Sequence, residues 1–214
     1  CGDDCFTMKA GRAEDGLRVN KPTENVVVRY CLAEQGHGGI TCGSETAGVI
    51  RNLYLHDCVF NGTGSGIRFK TRRNRGGGGE NITYERVRMI LRGDAFNWDM
   101  LGSKAYVGDL AIRFPALEMT PLTPFYRNIV ARDIYVESCK YFIKAKGIPE
   151  SPLSDVRIEN VQVDNSLRLI SLYDVDGITL KKVNVHSPDT VVEINNGKRV
   201  KFVKTKINHH EGKK

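Results

Sequence analysis

Hydrophobic positions in this chain recur on a repeat, not on a helical period. Seven segments align, beginning at Asn25, Asn52, Asn81, Asn128, Asp155, Gly177 and Arg199, at spacings of 27, 29, 47, 27, 22 and 22 residues. Counting each first residue as offset 0, offset 1 reads Val26, Leu53, Ile82, Ile129, Val156, Ile178 and Val200. Offset 3 reads Val28, Leu55, Tyr84, Ala131, Ile158, Leu180 and Phe202. Offsets 6 and 8 behave alike, from Cys31 and Ala33 to Thr205 and Ile207, and of the 28 slots at these four offsets only Thr205 is clearly polar. Alternation at 1 and 3, then at 6 and 8, predicts two short strands of period two with a bend between them.

A third strand follows from Ile40, Ile67, Phe96, Ile143, Ile170 and Val192 at offset 15, with Cys42, Phe69, Trp98, Ala145, Leu172 and Ile194 at offset 17. No unit can bury its apolar face alone, so neighbours must stack. Three inward-facing strands per unit predict an all-β fold, a right-handed parallel β-helix of about seven to eight coils over residues 1–207. A basic, disordered tail is expected over 208–214. Helical alternatives fail because β-branched residues dominate and no 3.6-residue period survives across the units.

The same register assigns smaller features. Cys31 and Cys58 share one inward ladder and Cys42 occupies another, so they read as small buried hydrophobes ahead of disulfide or metal ligands; the lack of a CxxC pair argues against a zinc ribbon. Asparagine at offset 0 of four units reads as a turn residue whose side chain satisfies neighbouring backbone. Extended backwards, the register puts Phe6 and Met8 at offsets 15 and 17 and Asp3 and Asp4 at 12 and 13. On that reading the first coil starts upstream of Cys1 and the β-helix is N-terminally truncated.

Charge narrows the partner. A formal net charge of +7 favours something acidic. The basic residues form neither a helical stripe nor a groove-reading motif, which argues against nucleic acid, and no apolar run approaches the ~20 residues of a membrane helix. Charge alone does not choose between an acidic polysaccharide and other acidic partners; no membrane, cofactor or metal is expected, and a monomer is the expected state.

Candidate chemistry comes from stacking the coils at roughly 4.8 Å. His37, in "QGHGG", falls at offset 12 one coil beyond Asp3. Arg68 and Lys70, in "GIRFKT", point outward one coil further on, because Ile67 and Phe69 fill the core. Glycoside hydrolysis needs one carboxylic acid to protonate the leaving oxygen and a carboxylate to activate water. Adjacent acids raise each other's proton affinity, which would keep one protonated. Arg68 and Lys70 could hold a uronate carboxylate, as a fork and as a point charge.

"GDD", "GHG" and "RFK", in this order and spacing, resemble the polygalacturonase family, glycoside hydrolase family 28, from Cys1 to about Lys206. "AGRAEDG", "GSETAG", "AFNWDM" and "GIPESPLSDVRIENV" look most like bacterial members, many of them exo-acting. The resemblance implies an inverting hydrolysis of α-1,4-galacturonosyl linkages in pectin or polygalacturonate. Asp3 would be the general acid and Asp4 one of two bases on water. His37 would support the acid's protonation or bind substrate, and Arg68 and Lys70 would bind the galacturonate carboxylate.

The family's "NTD" motif, with its third aspartate, would lie upstream, so the chain alone is expected to turn over little or nothing. The usual "RIK" reads "RFK", and Gly93-Asp94-Ala95 lacks a tyrosine that many members carry near there, for which Tyr106 is the substitute in substrate binding. The long segment between Asp99 and Asn128 reads as a cleft wall or a surface elaboration. Arg72, with Arg73 and Arg75, reads as an extended anionic subsite or a solvated loop. The full-length protein is expected to be secreted or periplasmic. A pectate lyase-like enzyme and a non-catalytic β-helix that binds acidic polysaccharide are the alternatives.

Overall fold

The structure, a computed structural model, describes residues 1–209. In chain order its elements are β1 (Phe6–Met8), α1 (Ala13–Val19), β2 (Thr23–Arg29), β3 (Leu32–Glu34), β4 (Gly38–Gly43), β5 (Ile50–Thr63), β6 (Ser65–Lys70), β7 (Gly78–Leu91) and β8 (Phe96–Asp99). There follow α2 (Lys104–Val107), a short 3-10 turn (Gly108–Ala111), β9 (Phe125–Lys146), β10 (Leu153–Ser187), β11 (Val192–Lys198), β12 (Lys201–Val203) and β13 (Lys206–His209). Every ladder between these strands is parallel and joins one repeat to the next, which is the predicted parallel β-helix. β13 runs two residues into the segment expected to be a tail; the rest of that segment lies outside the described residues.

The inward ladders follow the sequence offsets. Phe6, Ile40, Ile67, Phe96, Ile143, Ile170 and Val192 stand in one row. Met8, Cys42, Phe69, Trp98, Ala145, Leu172 and Ile194 form the row beside it. The middle of both rows is fully buried. Phe69 is sandwiched there, with ring centroids 5.3 Å from Trp98 and 4.6 Å from Tyr126. Burial pushes the Cys42 thiol up to about 12 and that of Cys139 to about 11, as inert core sulfurs require. Thr205, the one polar slot, satisfies its hydroxyl by donating to the Leu180 carbonyl at 3.1 Å.

The bend between the first two strands of each coil is one residue in the left-handed conformation. Tyr30, Asp57, Arg86, Asp133, Asn160, Lys182 and Lys204, all at offset 5, have φ between 50° and 57°. Offset 0 is a second such bend: Asn25, Asn52, Asn81 and Asn128 have φ of 54° or 57°. Asparagine tolerates this region better than other non-glycine residues. The sequence predicts that its side chain satisfies neighbouring backbone; it bonds instead to the next asparagine. Asn52 donates to Asn25 at 3.1 Å, Asn81 to Asn52 at 3.3 Å and Asn128 to Asn81 at 2.6 Å. Equal residues at 4.8 Å spacing can pair amide to carbonyl along the axis, so the ladder satisfies itself.

The long segment after β8 is strapped to the solenoid by one ion pair and by Arg73, which donates to the Ile112 carbonyl at 3.3 Å. Arg113 donates two bonds of 2.6 Å to the fully buried carboxylate of Asp174. Arg73 holds Glu150 at 2.6 and 2.9 Å and lies 5.8 Å over the Phe114 ring.

The asparagine ladder generates a test. Asn81→Ala loses two side-chain hydrogen bonds and puts a Cβ without a compensating amide at φ 54°. It should destabilise by about 2–3 kcal/mol, and Asn81→Gly by visibly less, because glycine removes the backbone cost. Denaturant midpoints of the two variants check this; equal losses would show that the bend carries no strain.

Candidate active site

Asp3 and Asp4 sit just before β1, on the segment that pairs with the start of β4. The backbone N–H of His37 donates to the Asp3 carbonyl at 3.0 Å, and that of Cys5 to Gly38 at 2.8 Å. This contact needs the two glycines around His37. A Cβ on Gly36 (φ 85°) would lie 2.5 Å from the Asp3 carbonyl, and one on Gly38 would lie 2.9 Å from Asp4 Oδ1. The "GHG" sequence is therefore the space into which "GDD" packs. The stacking brings His37 Nδ1 to 3.1 Å from Asp3 Oδ1, as equal offsets on adjacent coils predict.

Arg68 and Lys70 project outward from β6, in register with Thr41 and Gly43 of β4. Nothing long stands between them and the "GDD" segment, so both reach back across one coil. Arg68 Nη1 lies 3.1 Å from Asp4 Oδ1, and Lys70 Nζ lies 2.6 Å from Asp4 Oδ2. The two aspartates thereby differ sharply: the Asp4 side chain is 4% exposed and that of Asp3 80%.

Their ionisation departs from expectation. Asp3 is held below the usual aspartate value, first by the Asp4 N–H at 2.8 Å and then by His37, which together outweigh repulsion from Asp4. Burial pushes Asp4 up, but Lys70 and Arg68 more than offset this and hold it below the usual value too. The adjacent acids do not keep one another protonated here. Hydrogen-bond donors and cations at contact distance win over a like charge next door.

A cleft of about 570 Å³ opens over these groups. Asp3, His37, Arg68, Lys70, Arg72 and Tyr106 all line it, and Asp4 lies beneath. Tyr106, on α2, is 85% exposed and forms one wall with Gly102, Ser103 and Val107. The long segment is thus wall at its beginning and surface strap further on.

Asn97 and Asp99 also line the cleft and were missed by motif reading. They stand beside Arg68 and Lys70 in the next coil, so the register at offsets 16 and 18 was the signal. Asn97 donates to Asp94 at 2.6 Å, and Asp99 Oδ1 accepts the N–H groups of Leu101 and Gly102, both at 2.8 Å.

The arginine loop needs correction. Arg72 faces the cleft, but Arg73 and Arg75 are each 4% exposed. Arg73 is spent on Glu150, and Arg75 lies 3.9 Å from Glu45 and at the cleft's inner edge. The loop is not solvated either, since Gly76 to Gly79 are buried and a Cβ on Gly77 would meet the Thr46 carbonyl at 1.9 Å. Among the described residues no group of three His, Cys, Asp or Glu side chains could hold a metal ion.

Several known proteins are similar to this chain. A probable polygalacturonase of Vitis vinifera is 30% identical over 183 residues, which is 83% of this chain and 36% of that protein. The crystal structure of a hyperthermoactive exopolygalacturonase from Thermotoga maritima superposes with a TM-score of 0.70 at 22% identity, over 90% of this chain and 39% of that one. A family 28 exopolygalacturonase from Yersinia enterocolitica gives 0.67 at 21% identity, over 92% and 34%. The two structures share the fold, and the chain spans little more than a third of the length of these relatives. The profile of Glycosyl hydrolases family 28 matches residues 1–91. That stretch, which carries Asp3, Asp4, His37, Arg68, Lys70 and Arg72, is the part of the chain that is similar to glycosyl hydrolases family 28.

Proposed function

We propose that the cleft binds pectic galacturonan and that its two aspartates hydrolyse α-1,4-galacturonosyl linkages with inversion. The observation that carries this reading is the convergence of Asp3 on His37, and of Asp4 on Arg68 and Lys70, beside one cleft. Asp4, ionised and ion-paired, suits the base that takes a proton from water. Asp3, open to the cleft, suits the acid that protonates the leaving oxygen.

An incoming uronate carboxylate completes the cycle of charges. It competes with Asp4 for Arg68 and Lys70, which leaves Asp4 a freer base. It also adds negative charge and excludes water around Asp3, both of which raise the proton affinity of that carboxyl toward what an acid needs. His37 Nδ1, at 3.1 Å, is positioned to steady the Asp3 carboxyl through this change.

The family pattern adds a further aspartate on an "NTD" motif that residues 1–214 do not contain. For this chain by itself the proposal is therefore galacturonan binding with little or no turnover. The ionised state of both aspartates favours the same reading, and it is also what a non-catalytic, polysaccharide-binding β-helix would show.

The deciding experiment measures polygalacturonate binding, reducing-end release and ultraviolet absorbance of unsaturated product together. Binding without an unsaturated product is expected; an absorbing product would make the protein a lyase. Robust turnover by the 214-residue chain would overturn the assignment of a missing catalytic group. In any form that does turn over, Asp3→Asn should lower the rate by about 10²–10⁴ with the fold intact, and unchanged activity would sink the acid role. Arg68→Ala or Lys70→Ala should weaken galacturonan binding on the order of tenfold or more while sparing a neutral glycan.

Asp4 also makes a pH signature. Its folded carboxyl is more acidic than the unfolded reference of 3.8, so its contribution to stability is complete above that value and is lost as pH falls through the folded one. Asp4→Asn should cost about 1–3 kcal/mol at neutral pH, and the gap to the parent should close below about pH 4. Thermal unfolding across that range tests it, and a gap that stays constant into acid would refute the ion pairs.

A further inference from the structure

The outward rows that carry Arg68 and Lys70 continue past the cleft floor. One row runs Arg68, Asn97, Lys144, Ser171; the row beside it runs Lys70, Asp99, Lys146, Tyr173. Lys144 and Lys146 thus repeat the cationic pair two coils further along, a step of roughly 9.6 Å. Inward-facing Ile143 and Ala145 are fully buried, so both lysines point to the same outer face as Arg68 and Lys70.

The two pairs differ in one respect. Arg68 and Lys70 are ion-paired to Asp4, whereas no hydrogen bond or ion pair among the described residues engages either lysine ammonium. Lys144 lies instead 5.5 Å over the ring of Tyr141, which is partly exposed on the same face. The nearest acidic groups in these rows already have partners. Asp99 accepts two backbone N–H groups, and Glu193 accepts from Ser171 and Tyr173. An aromatic ring beside two ammonium groups that no carboxylate among the described residues engages is what a sugar acid requires: apolar surface for the C–H groups of the sugar and charge for its carboxylate.

We infer that Tyr141, Lys144 and Lys146 form a second uronate position, two coils from Arg68 and Lys70, and that a galacturonate oligomer lying along the solenoid axis bridges the two. The inference rests on the galacturonan reading given above. Asn97 and Asp99 lie between the positions, where a sugar without a carboxylate contact would pass.

Titration calorimetry with digalacturonate and hexagalacturonate tests it on the parent chain, Arg68→Ala, the double variant Lys144→Ala/Lys146→Ala, and Tyr141→Ala. The dimer can occupy one position, the hexamer both. The parent should prefer the hexamer, and the lysine double variant should lose about tenfold of that preference. Lys144→Arg/Lys146→Arg should restore most of it, since the charge is kept; Tyr141→Ala should weaken the hexamer severalfold. Hexamer binding within twofold of the parent in the lysine variant, or an equal loss for dimer and hexamer, would overturn the second position while leaving the cleft reading intact. If Arg68→Ala leaves both ligands unaffected, or the parent binds neither, the galacturonan reading itself fails and takes this inference with it.

Discussion

Coil-on-coil registry is the constraint on which everything else in this protein depends. Parallel strands fix neighbouring coils at one spacing, so each inward side chain has to share its space with the same offset above and below. Two left-handed residues per coil, at offsets 0 and 5, keep that registry while the spacing of the repeats varies from 22 to 47 residues. Insertions are pushed out at the turns, as the strap after β8 shows, and the ladders continue unbroken beneath them. A site built on the outer face inherits this precision: residues far apart in sequence are held on one lattice by the core behind them.

Within that lattice Asp4 is the organising charge. A carboxylate that is almost fully buried would be costly alone, and two cations reaching from the next coil but one offset the cost. On the proposed reading those cations also receive a uronate, and ligand binding would then redistribute the charges of this one ion-pair network. Asp3, a single residue away, has almost the opposite environment, open to the cleft and tied only to His37 and a neighbouring N–H.

Much of this was legible in the sequence, and the boundary is physical. Period-two alternation on a repeat specifies which residues face inward and which coils touch, so the ladders and the Asp3–His37 contact could be read without coordinates. Offset alone does not say how far a long side chain reaches. Arg68 and Lys70 were read as facing a ligand, and the structure has them turned onto Asp4 across the small residues of β4. Loop chemistry was least legible. Arg73 looked like part of a basic patch because its partner Glu150 is 77 positions away, on a segment outside the repeat pattern. The asparagine ladder was misassigned for another reason. Reading one turn at a time suggests backbone capping, and only stacked copies reveal that asparagine can pair with itself.

Net charge illustrates the difference between composition and placement. An excess of seven positive charges argues for an acidic partner in general, yet many of the cations are neutralised locally. Arg86 grips Asp57 and Glu85, Arg127 grips Glu80, Arg132 reaches Glu85 and Arg199 reaches Asp176, all on outer rows away from the cleft. Arg72, Lys144 and Lys146, which have no such partner among the described residues, lie on the face that holds Arg68 and Lys70. Others, such as Lys201 and Lys204, sit at the far end of the solenoid, away from the cleft. What singles out the cleft is therefore not the amount of positive charge. There, cations two coils apart share an outer face with aromatic side chains and two carboxylates, and the proposed recognition of a sugar acid rests on that combination.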